Sequence, residues 1–146
     1  MDWKGREIKN SNTSLFSGGD SLQSVHLNNM YVKDLSNLFS NCPSLKDVDI
    51  SKIVYNKSAT TLSGMFNNCE NLVEFKFPEN FEFNNGVSLS SMFSGCTNIK
   101  EIDLSPYNLL KITSLSSTFT KCRYLEYLNL ENLNTENLKD LSSFMS

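Results

Sequence analysis

The sequence predicts an α/β solenoid, a coil of stacked repeats with a parallel β-sheet on one face and short helices on the other. The first observation is a segment that begins Leu-Ser and returns every 26 or 27 residues. The second is a helical spacing of apolar residues inside that segment, and the third is an alternation of apolar and polar residues after it. A period of this length is typical of solenoids, in which each repeat buries its apolar face against its neighbours. The segments begin at Leu35, Leu62, Leu89, Leu115 and Leu141.

Each Leu-Ser segment predicts a short helix. In the second segment, apolar residues lie at positions i, i+3, i+4 and i+7, which share one face of an α-helix. These residues are Leu62, Met65, Phe66 and Cys69. The residue before each leucine carries a side-chain oxygen that accepts from the free amides of a first helical turn. A helix of about two turns is marginal alone, so we expect packing between repeats to stabilise it. The capping residues are Asp34, Thr61, Ser88, Ser114 and Asp140.

The period changes to two after each predicted helix. Alternation of apolar and polar residues there predicts one short strand per repeat. Strands of successive repeats, stacked about 4.8 Å apart, would form a parallel sheet along one side of the solenoid. A stretch of variable length follows each strand and predicts a loop on the outer rim. The apolar pairs are Val48 and Ile50, Phe75 and Phe77, Ile102 and Leu104, and Leu128 and Leu130.

The repeats define the predicted domain organisation. We expect a polar N-terminal segment at residues 1–14 and a single repeat domain at residues 15–146. Residues 15–34 form a degenerate capping repeat, because Gly19 stands where later repeats have Cys and the step from Phe16 to Phe39 is only 23 residues. Full repeats occupy residues 35–61, 62–88, 89–114 and 115–140, and residues 141–146 begin a partial repeat.

Composition and charge argue against several classes of function. The net charge is −3 and no basic run is present, so we expect no nucleic-acid partner. No apolar run has the length of a membrane span. The first residues are polar and charged, unlike a signal peptide. We expect a cell-surface or secreted location if the sequence is an excised fragment, and a cytoplasmic one if it is the full chain.

The four cysteines predict buried thiols rather than a metal site or disulfides. Each occupies the same inward position of its repeat, and spacings of 26 or 27 residues differ from the Cys-x2-Cys spacing of zinc sites. A reduced cysteine at such a position packs as a small apolar residue. We therefore expect no metal and no cofactor. The cysteines are Cys42, Cys69, Cys96 and Cys122.

No set of residues in the sequence predicts catalysis. His26, the only histidine, falls on an outward strand position and has no fixed Cys or Ser partner in the pattern. The sequence has no Gly-rich phosphate loop, no paired catalytic carboxylates and no nucleophile elbow. We expect a protein that is not an enzyme.

The outward strand positions form the candidate partner-binding surface, which we call the strand face. Its carboxylates surround a single Lys76, which predicts recognition of a basic or hydroxyl-rich partner. An ordinary solvated surface is the alternative, because exposed carboxylates repel only weakly in water. A Ca²⁺ site is disfavoured, since no compact loop supplies six or more oxygen ligands. The strand face comprises Asp47, Asp49, Glu74, Lys76, Glu101, Asp103, Tyr127 and Asn129.

Four tandem stretches share one pattern, Phe-x2-Cys-x2-Leu (or Ile) followed by alternating apolar residues: LFSNCPSLKDVDI, MFNNCENLVEFKF, MFSGCTNIKEIDL and TFTKCRYLEYLNL. This pattern resembles the BspA-like leucine-rich repeats, which are related to the repeats of mycoplasma-type surface lipoproteins. The resemblance covers residues 15–146 and implies a leucine-rich-repeat-like right-handed coil. It also implies a surface protein that mediates adhesion. The sequence departs from the pattern at Gly19, at Thr118 and at Met145.

The expected function is a non-catalytic binding module for a protein or glycan partner. Stacking gives such a module a rigid frame, and the outward residues give it specificity. The alternative is a structural or self-assembling scaffold unit. In that alternative, an uncapped C-terminal end with Leu141, Phe144 and Met145 stacks on another copy as an end-to-end homo-oligomer.

Overall fold

The computed structural model describes residues 2–4, 14–32, 34–55, 61–79, 81–83 and 86–146. Its strands pair in parallel in three separate sheets. The first sheet has the order β1-β2-β3, the second joins β4 to β6, and the third joins β5 to β7. The strands are β1 (Asp2–Lys4), β2 (Ser24–Val32), β3 (Asp47–Tyr55), β4 (Val87–Ser88), β5 (Glu101–Asp103), β6 (Ile112–Ser114) and β7 (Tyr127–Asn129).

Three of the four predicted strands are present as β3, β5 and β7. The strand predicted around Phe75 and Phe77 is wrong, since residues 72–78 have no strand. The single continuous sheet predicted from the sequence is therefore wrong for the described residues. Pro78 is one physical reason for the gap, because proline has no backbone N–H to donate to a ladder.

The predicted helices are also wrong, because the described part of the chain contains no α-helix. The Leu-Ser segments form successive turns, with bonds such as Met65 N to Leu62 O at 3.2 Å. The backbone has a positive φ at the third and seventh positions of the segments, where a right-handed helix cannot continue. Gly64 and Gly95 supply this conformation without steric cost. The other residues are Asn37, Asn41, Asn68, Ser91, Ser117, Lys121 and Ser143.

The predicted capping residues do accept backbone hydrogen bonds, although they cap turns rather than helices. Asp34 Oδ1 accepts from the amide of Ser36 at 2.8 Å. The equivalent bond, to the amide two residues later, measures 2.9 to 3.2 Å in the other repeats. Such bonds satisfy amides at the start of a turn as they do at the start of a helix. The remaining caps are Thr61, Ser88, Ser114 and Asp140.

Backbone hydrogen bonds join each Leu-Ser segment, which we call a turn segment, to the next repeat. Phe39 N donates to Met65 O at 2.9 Å, and Phe66 N donates to Met92 O at the same distance. Phe93 N continues the series through the Thr118 carbonyl at 3.0 Å. The strands β4 and β6 pair immediately before these segments. Successive repeats are therefore linked on the turn side, including the repeat whose residues 72–78 form no strand.

A column of phenylalanine rings forms the centre of the core. Neighbouring rings are nearly parallel, with centroids 5.4 to 5.8 Å apart. The last ring of the chain, Phe144, meets Phe119 edge-on instead. Aromatic rings in such offset arrangements contribute energy beyond that of burying their area. The column comprises Phe16, Phe39, Phe66, Phe93 and Phe119.

The cysteines form a second column beside the rings. All four are free thiols, as predicted, and all but the half-buried Cys122 are buried. Each thiol donates to the phenylalanine carbonyl of the preceding repeat, as Cys69 Sγ does to Phe39 O at 3.1 Å. Burial raises the pKa of Cys69 to about 12 and that of Cys122 to about 11, so the thiols stay protonated and unreactive at neutral pH.

Candidate functional site

The register of β2 and β3 positions the N-terminal part of the strand face. Ser24 pairs with Asp47, and His26 pairs with Asp49. His26 Nε2 lies 2.9 Å from Asp47 Oδ2, on the diagonal between these pairs, and both side chains are about half exposed. An exposed contact of this kind contributes little energy. Sequence reasoning missed it because a diagonal partner depends on side-chain rotamers, which the repeat register does not give.

The pairing of β5 with β7 positions the C-terminal part of the strand face. Glu101 pairs with Tyr127, and Asp103 pairs with Asn129. Asn129 Nδ2 donates to Tyr127 Oη at 3.2 Å. Side chains two residues apart on one strand face are separated by about 6.6 Å, so this bond requires the Tyr127 ring to lean along its own strand. The register brings these four predicted residues together.

Short polar residues within β3 and at the ends of β5 and β7 add a structural role to the strand face. Asp49 Oδ1 accepts from the amide of Ser51 at 2.9 Å. This is an Asx turn, in which a side-chain oxygen replaces a backbone acceptor. Equivalent bonds of 2.9 and 3.1 Å join the later pairs, Asp103 to Ser105 and Asn129 to Glu131. Sequence reasoning assigned these positions to partner binding alone, although the recurring Asp-x-Ser spacing was a visible signal of the turn.

The turns also determine the charge state of the two aspartates. The hydroxyl and amide of Ser51 hold the pKa of Asp49 below its ordinary value of 3.8, and nearby His26 and Lys52 lower it further. The hydroxyl and amide of Ser105 lower the pKa of Asp103 in the same way, with a contribution from Lys76. Both carboxylates are therefore ionised at neutral pH and add negative charge to the strand face.

The repeat at residues 62–88, the third when the degenerate capping repeat is counted, interrupts this regular pattern. At the two positions that build the Asx turn in the repeats on either side, it carries Lys76 and Pro78. Lysine offers no acceptor and proline offers no N–H, so the turn cannot form. The Pro78 carbonyl instead accepts from Phe81 N at 2.9 Å. The Phe77 carbonyl accepts from the hydroxyl of buried Tyr107 at 2.8 Å.

Two depressions flank the interrupted repeat, and both are lined by Glu74, Phe75 and Lys76. The first depression, about 370 Å³, lies between this repeat and β3, where Asp47 and Asp49 line it. The second depression, about 230 Å³, is also lined by Glu101, Asp103, Pro106 and Tyr107. Six of the eight predicted residues therefore share these depressions. Sequence reasoning missed the aromatic linings, because Tyr107 belongs to a loop of variable length.

The described residues show no site for a metal ion. No three His, Cys, Asp or Glu side chains of this part of the chain lie together in a way that could hold one. The described residues also contain no helix with the length and apolar character needed to cross a membrane. The strand face offers hydrogen-bonding groups, carboxylate charges and the exposed ring of Tyr127.

The comparison with protein families agrees with the repeat pattern. A model described as the BspA type leucine-rich repeat region, with six copies, matches residues 6–87, more than half of the chain. The chain belongs to the BspA-type leucine-rich-repeat family. A second model, described as a Mycoplasma protein of unknown function, matches residues 87–146. The resemblance predicted from the Phe-x2-Cys-x2-Leu pattern is therefore confirmed. No curated protein and no solved structure matches this BspA-type chain.

Proposed function

We propose that this BspA-type repeat protein is a non-catalytic binding module that recognises a protein or glycan partner through its strand face, within a surface or adhesion protein. The observation that carries the proposal is the pair of depressions around Glu74 and Lys76. They occur where one repeat departs from the strand pattern and shows outward-facing polar groups. Membership of a leucine-rich-repeat family supports a repeat module with a role in binding.

The frame for this surface is one continuous right-handed solenoid in our proposal, with the repeat boundaries predicted from the sequence. The ring column and the inter-repeat hydrogen bonds run without a gap from Phe16 to Phe119, which supports a single stack. A rigid stack reduces the entropy lost on binding, because the recognition groups are already ordered.

The charges of the strand face suit a basic or hydroxyl-rich partner. Five of its eight residues are carboxylates, and Lys76 is its single cation. Carboxylates accept hydrogen bonds from ammonium, guanidinium and hydroxyl groups alike. Lys76 lines both depressions. This single cation would determine the orientation of the bound partner more than it would increase the affinity.

A charge-reversal variant tests this function. Glu74→Lys/Glu101→Lys should weaken binding to a panel of immobilised extracellular-matrix proteins and neutral glycans by at least about tenfold, or about 1.4 kcal/mol. The matched control is Glu70→Lys/Glu126→Lys, which makes the same charge change at exposed residues outside the strand face. Circular dichroism checks that both variants fold. Equal loss in both variants, or unchanged binding in the first, would contradict recognition by the strand face.

End-to-end assembly is a second candidate function. Leu141 and Met145 are 50% and 58% exposed beside the half-buried Phe144, which leaves apolar surface at this end. Light scattering over a range of concentrations should then show a rising mass. Leu141→Glu/Met145→Glu should restore the monomer, while Glu74→Lys/Glu101→Lys should not. A constant monomer mass for the unmodified chain would rule the assembly out.

A further inference from the structure

One exposed aromatic ring stands on the strand face. Tyr127 is 48% exposed, and its hydroxyl accepts a hydrogen bond from Asn129 Nδ2 at 3.2 Å. Asn129 is itself held by the bond that its Oδ1 accepts from the amide of Glu131 at 3.1 Å. These two bonds favour one direction of the ring before any partner binds. An exposed ring held in one orientation is a preorganised stacking surface.

Both donors and acceptors surround this ring. The Tyr127 hydroxyl uses an oxygen lone pair for Asn129 and retains its own hydrogen to donate, and the Asn129 amide retains a second N–H. Glu101, the register partner of Tyr127, has no side-chain hydrogen bond within the described part of the chain. Asp103 accepts from the amide and the hydroxyl of Ser105, and its two carboxylate oxygens, with about four lone-pair sites, retain capacity for a further donor.

We propose that Glu101, Asp103, Tyr127 and Asn129 form a subsite for one neutral saccharide ring. The weakly positive C–H groups of the sugar stack on the negative face of the Tyr127 ring. Each sugar hydroxyl both donates and accepts, so adjacent hydroxyls match the carboxylate acceptors and the amide and phenol donors. This subsite rests on the proposed function and specifies its ligand class.

Two alternatives fit the same groups less well. An acidic sugar would place its carboxylate beside Glu101 and Asp103, and like charges repel. A lysine or arginine side chain would satisfy those carboxylates but has no acceptor for the Tyr127 hydroxyl or the Asn129 amide. The second depression lies on the other side of Glu101 and Asp103, where it gives room for the next unit of a glycan chain.

Chemical-shift titrations of the full 146-residue chain test this subsite. The probes are the methyl glycosides of mannose, galactose and N-acetylglucosamine, with methyl glucuronide as the acidic counterpart. We expect at least one neutral glycoside to shift amides of β5 and β7 with a Kd on the order of millimolar, about −4 kcal/mol. We expect methyl glucuronide to bind at least about tenfold more weakly, because the carboxylates repel it.

Substitutions of two tyrosines in the same repeat provide the matched comparison. Tyr127→Ala should weaken binding of the glycoside by at least about tenfold. The affinity of Tyr127→Phe should lie between those of Tyr127→Ala and the unmodified chain, because phenylalanine keeps the ring. Tyr124→Ala is the control, since Tyr124 is 58% exposed but lies outside the strand face. Equal losses for Tyr127→Ala and Tyr124→Ala would overturn the subsite. Unchanged binding in Tyr127→Ala would overturn it as well.

Failure of the subsite is distinguishable from failure of the proposed function. If none of the three neutral glycosides shifts β5 and β7, the saccharide subsite is wrong. If Glu74→Lys/Glu101→Lys still weakens the binding of a protein partner, recognition by the strand face stands, with a protein as its ligand. Arginine methyl ester is the remaining probe. Shifts of the same amides by this ester and by no glycoside would replace the saccharide with a cationic ligand.

Discussion

The turn segments and the strand face belong to the same repeats, but they differ in how much the residues at equivalent positions vary from one repeat to the next. In the turn segments, equivalent positions carry the same chemistry from one repeat to the next, including rings, thiols and hydroxyls. On the strand face, the third repeat carries Lys76 and Pro78 in place of the residues of the Asx turn, and its residues 72–78 form no strand. Equivalent positions must therefore carry similar residues where repeats stack on one another, whereas their residues can differ where repeats face solvent.

The hydroxyl groups of the turn segments show why uniformity is required there. Ser63, Ser88, Ser90 and Ser114 form a chain of hydroxyl contacts with oxygen–oxygen distances of 2.7 to 3.1 Å. Each hydroxyl of such a chain serves neighbours in its own and the adjacent repeat. A change at one link would leave a partly buried partner unsatisfied, which is costlier than the bond itself.

The strand face tolerates the break because the core beneath it is reinforced. Phe77 contacts the rings of Phe81, Phe83 and Tyr107, with centroids 4.4 to 5.6 Å apart. Its carbonyl also accepts from the Tyr107 hydroxyl. Buried aromatic area and this side-chain bond thus replace the strand ladder locally, and the outward residues can vary without loss of the core.

The largest expected effect lies in the ring column. Phe66 is fully buried and its centroid lies 5.4 Å from Phe39, 5.7 Å from Phe93 and 4.5 Å from Phe75. Phe66→Ala should lower the free energy of unfolding by about 3–5 kcal/mol, because it leaves a cavity between repeats. Urea denaturation followed by circular dichroism measures the loss.

A ring at the edge of the stack provides the control for this substitution. Phe144 is half-buried and meets a single ring edge-on, so Phe144→Ala should cost at most about 1–2 kcal/mol. If both substitutions cost the same, stacking between repeats would not be the source of the stability. The turn segments would then be no more constrained than the strand face.

A smaller effect is expected from restoring the Asx turn in the third repeat. Lys76→Asp/Pro78→Ser supplies the acceptor and the donor that the equivalent positions use in β3 and β5. One added hydrogen bond contributes about 0.5–1.5 kcal/mol. Loss of the proline costs about 0.4–1 kcal/mol through the unfolded chain, so we expect a net change below about 1 kcal/mol.

Amide hydrogen exchange measures the local stabilisation around position 78, which the small net change in the free energy of unfolding does not reveal. The amides of residues 75–77 should exchange about tenfold more slowly in the double variant than in the unmodified chain, which corresponds to about 1.4 kcal/mol. The new amide at position 78 should exchange about tenfold more slowly in the double variant than in Pro78→Ser alone. Lys76→Asp alone lacks the donor and Pro78→Ser alone lacks the acceptor, so neither should protect these amides. Protection in either single variant would show that the missing Asx turn is not the cause of the break.

The inward-facing positions are the part of the fold that the sequence predicts best. Periodicity alone placed Phe39, Cys69 and Leu104 in the core, because stacking forces equivalent residues into equivalent environments. The same periodicity aligned Glu101 with Tyr127 across the strands. Neither inference required knowledge of the path that the backbone takes between those positions.

The backbone path of the turn segments was predicted wrongly because a helix and a series of turns satisfy the same pattern. Both present i, i+3, i+4 and i+7 to one side, and both begin at a residue such as Asp34. The discriminating signal was the recurrence of Asn or Gly at two positions, as in Asn41, Gly64 and Asn68, where φ is positive. On the strand face, the depressions depend on Pro78 and on distant Tyr107, which no repeat pattern specifies.

The smallest expected effect concerns acid. The folded chain holds the pKa of Asp49 and Asp103 below 3.8, so it binds fewer protons than the unfolded chain. Their contribution to stability is therefore complete above about pH 5 and is lost as the pH falls through the folded pKa values. Asn129 makes the same turn without a charge, so Asp49→Asn/Asp103→Asn should retain the fold.

This variant should lose less thermal stability between pH 7 and pH 3 than the unmodified chain does, as differential scanning calorimetry would measure. Glu70→Gln/Glu126→Gln is the control, because it removes two exposed carboxylates that accept no hydrogen bond within the described residues. An equal acid response in all three proteins would mean that the Asx turns contribute nothing through charge. The charges of these two aspartates would then have no role in stability, in contrast to the packed side chains of the turn segments.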